Sequence, residues 1–347
     1  MEEAVYSERG YLMKLGRILR EGLDLSFPRL VAVFPEEQRV LDLASAEYHR
    51  LLRAGATPDA ALRLASALFP SSMSEAISAG SVFLEGVTRC LETEADDHAW
   101  LDMRDVHWLA PLDPSMMRDC LAFEQHLQNA ARGQGRPVPD VYYEMPVYYK
   151  ANRFSVIGHE QEVLWPDYTE HLDYELELGF VIGREGYDLT PEQARSYFFG
   201  VTIYNDFSAR DIQRKEGSGG LGPAKAKDFA TGLGPWITTA DELDVHNLTM
   251  VARVNGEEWS RGSSSSLMWS VEEFIAYVSK AEGVHAGELI GSGTVGFGCG
   301  LELGRKLQPG DIVELEVSGI GILRNRIGSP RKSSWMPSRR TSGSSLS

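Results

Sequence analysis

An apolar stretch from residue 172 to 183 carries two carboxylates, Glu175 and Glu177, two positions apart. The stretch has a strand pattern, and side chains alternate between the two faces of a strand, so both carboxylates point the same way, about 7 Å apart. Burying charged carboxylates is costly unless their pKa rises, basic groups approach, or the oxygens hold a hard divalent cation. The alternative is an edge strand whose glutamates face solvent. The pair therefore indicates either a buried charged site or an ordinary solvated strand face.

The chain has 347 residues, is 43% hydrophobic and carries a formal net charge of -16. Such a chain can bury a large core, and we expect one large domain plus a smaller one. Its negative charge disfavours nucleic acid and anionic membrane surfaces as partners, whereas a cation and local basic residues still permit an anionic small substrate. No apolar run reaches 18 residues, and the first residues lack signal-peptide features, which predicts a cytoplasmic protein. The three cysteines form no CxxC pair and are interpreted as packing residues.

Residues 1–114 are predicted to form a small accessory domain of mixed character. A strand pattern occupies residues 29–34, and apolar residues recur at helical spacing in 59–68 and 72–90. A proline-containing link at 109–114 ends this region, because proline continues neither a helix nor a central strand.

Residues 115–328 are predicted to form the main domain, beginning with a helix over about 115–132. Beyond this helix, short strands and turns dominate, including an Asn255-Gly256 pair that is typical of a type I′ hairpin. Strands with inserted helices favour an α+β fold around a curved or rolled sheet. Residues 329–347 are rich in Ser, Arg and Pro and are predicted to be a disordered tail.

A second group of polar residues surrounds Asp206, which ends an apolar run and can supply a third oxygen ligand. Arg210 and Gln213 share a face if a helix starts near residue 208, and they can then donate to an anionic ligand. The alternative is a capped helix with an ordinary surface arginine. A glycine-rich loop before Lys227 can bring that lysine close to a ligand, although surface loops have similar sequences.

Residues 291–296 match the pattern GxGxxG. A dinucleotide site is rejected because we expect no strand before this segment and no helix directly after it. We interpret the segment instead as a tight loop that carries Thr294 and Glu302 toward a cleft.

Four motifs, taken in chain order, resemble the fumarylacetoacetate hydrolase family over residues 146–327. Together they are far more specific than any one alone. They are Glu175-Leu176-Glu177, Asn205-Asp206-Phe207-Ser208-Ala209-Arg210-Asp211-Ile212-Gln213, Lys227-Asp228-Phe229-Ala230-Thr231 with Gly234-Pro235-Trp236, and Gly293-Thr294-Val295 with Gly310-Asp311.

This resemblance implies a mixed β-roll catalytic domain, a homodimer and a bound Mg²⁺, Ca²⁺ or Mn²⁺ ion. It implies a catalytic histidine, His126, seven residues after a fourth candidate carboxylate, and a glutamate, Glu302, that orients it. The smaller members of the family carry a glutamate three residues after their histidine, where this chain has Asn129. The implied metal ligands are Asp119, Glu175, Glu177 and Asp206; the other implied catalytic residues are Lys227, Arg210 and Gln213; and the implied substrate contacts are Tyr149, Thr231 and Thr294.

The activity implied by the resemblance is metal-dependent hydrolysis of a carbon-carbon bond in a small anionic β-diketo acid or acylpyruvate. The alternative on the same scaffold is decarboxylation, tautomerisation or dehydration of a 2-oxo acid, which needs no activated water. A third hypothesis is a metal-binding protein without catalytic activity. The acyl group of the substrate and the identity of the metal are left open.

Overall fold

A computed structural model describes residues 13–20, 27–93, 95–133 and 135–330, together with positions 332, 335, 337 and 338. Within these residues, no helix is long and apolar enough to cross a membrane. Most of the predicted tail at 329–347 lies outside the described residues.

The described strands and helices alternate along the whole chain. The strands are β1 (Lys14–Arg20), β2 (Arg29–Phe34), β3 (Arg39–Asp42), β4 (Trp100–Asp102), β5 (Val106–Trp108), β6 (Met117–Cys120), β7 (Tyr148–Lys150), β8 (Val156–Ile157), β9 (Leu172–Asp173), β10 (Leu176–Ile182), β11 (Phe198–Asn205), β12 (Ser208–Ala209), β13 (Thr231–Thr239), β14 (Thr249–Val254), β15 (Glu257–Ser263), β16 (Leu289–Gly291), β17 (Ile312–Val317) and β18 (Gly321–Arg326). The helices are α1 (Leu43–Arg53), α2 (Pro58–Leu68), α3 (Met73–Ser78), α4 (Ser81–Glu92), α5 (Glu124–Gly133), α6 (Val141–Glu144), α7 (Pro191–Ala194), α8 (Arg210–Ser218), α9 (Val271–Val278) and α10 (Gly300–Leu303).

A mixed sheet of twelve strands organises the molecule. Its main path runs β4-β3-β2-β1-β13-β11-β10-β16-β6-β7, with β5 added on β1 and β8 added on β13. Most pairs are antiparallel, whereas β16 pairs in parallel with β6. A second sheet, β15-β14-β17-β18, packs through β18 against β13. The central strand β10 is buried along its whole length, which places its side chains in the core rather than at an edge.

The N-terminal strands belong to this same sheet. Lys14 and Leu15 of β1 pair with Thr238 and Ile237 of β13. The sheet therefore crosses the boundary predicted at residue 114 without interruption. The helices α1, α2 and α4 pack together beside it. The division into domains at 1–114 and 115–328 stays a prediction.

Local signals gave mixed results. The strand at 29–34 and the hairpin at Asn255-Gly256 are confirmed, and both turn residues have positive φ. The helix predicted over 115–132 is wrong in its first half, because residues 117–120 form β6 and α5 begins only at Glu124. Tertiary pairing with β16 overrides the local pattern there.

The GxGxxG segment also differs in part from the expectation. A short strand, β16, does precede it, although the chain then continues as a loop and not as a helix. The strand-turn-helix context of a dinucleotide site is absent from this described segment, so the rejection of that site stands.

Candidate active site

Three buried carboxylates meet where β6, β10 and the end of β11 come together. Asp119, Glu177 and Asp206 each place a carboxylate oxygen within 4.8 Å of the other two. The strand between β10 and β6 is β16, and its Gly291 pairs with both Gly179 and Asp119. A Cβ atom on Gly291 would overlap Asp119 Oδ1 and lie 3.3 Å from Glu177 Oε2. The absence of a side chain at Gly291 therefore gives the carboxylates the space in which they converge.

Glu177 is held by the loop that follows β16. The Gly293 amide donates to Glu177 Oε2 at 3.1 Å, and Thr294 Oγ1 donates to Glu177 Oε1 at the same distance. Positive φ at Gly293 lets the backbone approach the carboxylate. The tight loop predicted at 291–296 thus acts on a candidate metal ligand.

The cluster of three carboxylates fits a hard divalent cation. Burial raises the pKa of both Asp119 and Glu177 well above the usual carboxyl range, and neighbouring carboxylates raise it further. Asp119 Oδ1 and Asp206 Oδ1 are buried and lack hydrogen-bond partners among the described residues. Oxygen ligands that are crowded and incompletely paired are the donors that Mg²⁺, Mn²⁺ and Ca²⁺ prefer.

Glu175 lies outside that group of three. Its Oε2 is 2.6 Å from Lys227 Nζ, and its Oε1 is 2.8 Å from Arg210 Nη1. Burial raises the pKa of Glu175, but Arg210 and Lys227 outweigh burial and lower the pKa overall. Of the compensations expected for buried carboxylates on this strand, Glu175 has basic partners. Glu177 belongs instead to the crowded cluster of carboxylates.

Lys227 connects Glu175 to the cluster of three carboxylates, because its ammonium contacts both Glu175 and Asp206. Burial lowers the pKa of Lys227, yet Asp206 and Glu175 raise it overall, so the side chain remains charged. The lysine predicted from the glycine-rich loop therefore lies inside the site.

Arg210 is fixed by a carboxylate that sequence reasoning missed. Asp173 Oδ2 accepts from Arg210 Nε at 2.8 Å, and the same carboxylate accepts from the amides of Gly300 and Leu301. Asp173 thus ties Arg210 to α10, which carries Glu302. An aspartate inside the apolar run at 172–183 was the available signal.

His126 and Glu302 form a second unit beside the carboxylates. Glu302 Oε2 lies 2.9 Å from His126 Nδ1, and its other oxygen accepts from Asn129 Nδ2 at 2.7 Å and from the Phe297 amide at 3.1 Å. Burial raises the pKa of Glu302, but His126, Asn129 and the Phe297 amide lower it overall. Asn129, noted in the sequence only as a departure, is therefore part of the unit.

The backbone places the His126–Glu302 unit next to the strand that carries the candidate metal ligand Glu177. Glu175 and Cys299 form an antiparallel bridge, and Cys299 Sγ donates to Glu302 Oε2 at 3.3 Å. His126 in turn contributes to lowering the pKa of Glu175. The histidine unit and the charged cluster thus face a common region.

Sequence comparison identifies the family. A sequence model described as fumarylacetoacetate (FAA) hydrolase C-terminal matches residues 115–328. The chain belongs to the fumarylacetoacetate hydrolase family. An uncharacterised protein of Staphylococcus epidermidis is 33% identical over 246 residues, which cover 70% of this chain and 79% of that protein. Another, from Archaeoglobus fulgidus, is 34% identical over 220 residues, covering 63% of this chain and 81% of that protein.

Solved structures show the same fold. A fumarylacetoacetate hydrolase from Exiguobacterium antarcticum matches with a TM-score of 0.68 and 26% identity, covering 91% of this chain and 99% of that one. A 5-carboxymethyl-2-hydroxymuconate delta-isomerase from Mycobacterium smegmatis matches with a TM-score of 0.64 and 24% identity, covering 92% and 100%. The expected family and mixed α+β fold are thereby confirmed. Members of the fumarylacetoacetate hydrolase family are enzymes that usually bind a divalent metal, and they include both hydrolases and isomerases.

The remaining predicted residues either contact residues of the site or lie on strands next to it. Tyr149 donates its hydroxyl to Asp206 Oδ2 at 2.8 Å, and Gln213 Oε1 accepts from Arg210 Nη1 at 3.1 Å. Thr231 begins β13, one residue before Gly232, which pairs with Asn205. Tyr149 and Thr294, predicted as substrate contacts, direct their hydroxyls toward candidate metal ligands. Their role toward substrate stays a prediction.

Proposed function

We propose that this protein is a metal-dependent hydrolase that cleaves a carbon-carbon bond in a small β-diketo acid or acylpyruvate. The observation that carries the proposal is the His126–Glu302 contact beside the cluster of three carboxylates. A site for enolisation alone has no need of a base for water. We further propose that the substrate is anionic and that the enzyme is a homodimer.

His126 is arranged to act as a general base. A proton on Nδ1 is directed to Glu302 Oε2 at 2.9 Å, which leaves the Nε2 lone pair free to accept a proton from water. Glu302 is fixed by Asn129 and the Phe297 amide, so the imidazole keeps one orientation. The activated water adds to the carbonyl carbon distal to the substrate's own carboxylate while His126 takes its proton. The carbon-carbon bond breaks as the tetrahedral adduct collapses to a carboxylic acid and an enolate, and the enolate takes the proton back from His126.

The charged groups next to this base suit the charge that then develops. Asp119, Glu177 and Asp206 would hold the divalent ion, which supplies Lewis-acid stabilisation of negative oxygen when it is bound. Lys227 offers a buried ammonium at the same place. Arg210 acts through Glu175, because its guanidinium is already shared between Glu175 and Asp173.

Turnover of diketo acids tests this proposal directly. The loss of diketo-enol ultraviolet absorbance is followed for fumarylacetoacetate and a series of acylpyruvates, with Mg²⁺ and with a chelator, and the products are identified by mass. We expect metal-dependent formation of two acids. Stoichiometric metal binding without turnover of any of these compounds would overturn the proposal.

A 2-oxo acid decarboxylase, tautomerase or dehydratase is the second candidate. It is favoured by the fact that Lys227, together with a cation that the carboxylates would hold, could stabilise an enolate without participation of His126. A His126→Ala variant separates the two candidates. Hydrolysis requires the base and is lost in this variant, whereas retained turnover with a product of unchanged or decarboxylated skeleton supports the second candidate.

A further inference from the structure

Lys227 lies at the end of the segment 217–227, whose first part is exposed and rich in glycine. Four of the six residues from 217 to 222 are glycine, all six are exposed, and the Leu221 side chain is 87% exposed. Glycine-rich, exposed backbone has high conformational entropy and needs specific contacts to hold one conformation. The position of the Lys227 ammonium therefore depends on whatever fixes this segment.

Glu216 supplies such contacts. Its carboxylate accepts hydrogen bonds from three consecutive amides: Ala224 at 2.9 Å, Lys225 at 2.8 Å and Ala226 at 3.3 Å. The amides of Lys227 and Asp228 then turn back to the Ala224 carbonyl at 2.9 and 2.8 Å. The carboxylate thus fixes the start of the turn on which Lys227 is placed.

The segment also packs closely on Glu216. Gly222 has φ of +113°, and a Cβ atom there would lie 3.4 Å from the Cβ of Glu216. A larger residue at this position would strain the backbone and crowd the carboxylate.

The helix that carries Glu216 also carries two site residues. Arg210, Gln213 and Glu216 are spaced by three positions on α8 and so lie along one helix face. The first contacts Glu175 directly, and the last holds the segment that brings Lys227 to Glu175 and Asp206. One helix thereby positions both basic side chains, Arg210 and Lys227, relative to the carboxylates.

We infer that Glu216 is a positioning residue that holds the Lys227 ammonium between Glu175 and Asp206. The catalytic part of this inference rests on the proposed function. The structural part does not, because the carboxylate and its three amides need neither metal nor substrate.

Hydrogen exchange of the backbone tests the structural part. In Glu216→Ala, peptides covering residues 219–228 should exchange at least about tenfold faster than in the wild type, because three hydrogen bonds to a charged acceptor are lost. Glu216→Gln keeps one acceptor oxygen and should give an intermediate rate. Peptides from β13 should be unaffected, as should every peptide in the control Lys215→Gln, which changes an exposed neighbour on α8. Unaltered exchange of residues 219–228 in Glu216→Ala overturns the inference.

Mn²⁺ binding and turnover test the consequence for the site. A released ammonium no longer competes with a cation for Glu175 and Asp206, so Mn²⁺ should bind Glu216→Ala about tenfold more tightly in calorimetry. Acylpyruvate turnover should fall about tenfold with little change in KM, since Lys227 no longer meets the developing charge. General destabilisation would weaken both properties, and that result contradicts the inference.

A Lys227→Met background gives the decisive control. There, Glu216→Ala should leave the Mn²⁺ affinity unchanged, because the side chain that it positions is gone. An additional effect of the same size as in the wild type shows that Glu216 acts independently of Lys227 and overturns the inference. If the wild type turns over no diketo acid, the proposed function fails, while hydrogen exchange and Mn²⁺ affinity still decide the role of Glu216.

Discussion

Two opposing influences act on the pKa of the buried carboxylate Glu177. Both oxygens accept hydrogen bonds, from the Gly293 amide and the Thr294 hydroxyl, which favours the charged form. Burial beside Asp119 and Asp206 raises its pKa, which favours the neutral form. A cation resolves this conflict, because it neutralises the group without removing the hydrogen bonds.

The variant Glu177→Gln separates metal binding from folding. We expect Mn²⁺ affinity, measured by calorimetry, to fall at least about a hundredfold because a charged ligand is lost. The metal-free protein should become more stable by about 1 kcal/mol, since one of the crowded carboxylates is now neutral. The Thr294 hydroxyl can accept from the new amide as readily as it donates to the native oxygen.

The matched control is Glu185→Gln, whose side chain is 80% exposed. Both its Mn²⁺ affinity and its melting temperature should equal those of the wild type. Wild-type Mn²⁺ affinity in Glu177→Gln would remove Glu177 from the set of ligands.

Asn129 provides a second residue-scale prediction. Replacing it by alanine removes a 2.7 Å hydrogen bond from Glu302, and the glutamate then holds His126 less firmly. We expect kcat for an acylpyruvate to fall about tenfold with KM nearly unchanged, as is typical when a supporting contact is lost. Gln128→Ala, on the same helix, serves as the control. A rise in KM at constant kcat would instead place Asn129 in contact with substrate.

At this scale, the family motifs pointed to residues that the structure brings close together, but not to all of their partners. The resemblance to the family paired His126 with Glu302, and the two side chains lie 2.9 Å apart although they are 176 positions apart in sequence. The contacts of Asp173 and Asn129 could not be predicted, because no local pattern and no motif of the resemblance assigned a partner to either residue.

Helix α8 carries Arg210 and Gln213 of the candidate site and is itself tied to the rest of the fold. Near its start, Asp211 accepts from Thr169 and from the amides of Glu170 and Ile212, which ties the helix to the segment before β9. Burial raises the pKa of Asp211, but these hydrogen bonds outweigh burial and lower it overall. The charged form therefore stabilises the fold.

Asp211→Asn should show a stability loss that depends on pH. A carboxyl group whose pKa is lower in the folded state contributes stability above its unfolded pKa of about 4 and loses it as the pH falls through the folded value. We expect the variant to be about 1 kcal/mol less stable than the wild type at pH 7, and the difference to shrink below about pH 4. Thermal melts across this pH range measure it.

The exposed Asp167 gives a control for that experiment. Asp167→Asn should differ little from the wild type at any pH. A constant deficit of Asp211→Asn down to pH 2 would assign its effect to packing rather than to charge.

Element prediction succeeded where chemistry is local and failed where pairing is remote. The hairpin at Asn255-Gly256 forms where its turn residues predict it. The residues of β6 carried no strand signal strong enough to replace the expected helix, because β6 is specified by its partner β16.

At the scale of the molecule, the two predicted domains share both a sheet and a core. Leu15 and Leu30 lie in the same buried cluster as Val181, Leu233 and Ile237. Such a core is expected to unfold as one unit.

Leu15→Ala and a fragment of residues 115–328 test this coupling. Truncation of the fully buried Leu15 should lower the free energy of unfolding by about 3 kcal/mol. Circular dichroism and the loss of Mn²⁺ binding during denaturation should report the same decrease. The fragment should fail to form a stable fold, since β13 would lose its β1 partner. Leu62→Ala, at a 58% exposed position, is the control. A folded fragment with native Mn²⁺ affinity would instead support two independent domains.

The parallel pairing of β6 with β16 has a consequence for the timing of synthesis. Arg118 and Glu288, joined by an ion pair across these strands, are 170 positions apart. A ribosome makes Asp119, Glu177 and Asp206 well before it makes Gly293, Thr294 and Glu302. A nascent chain halted in that interval would hold the three carboxylates without the two donors of Glu177 and without the glutamate that pairs with His126. The last sixth of the chain therefore converts a repulsive cluster into a site, and it sets the earliest moment at which a new molecule can work.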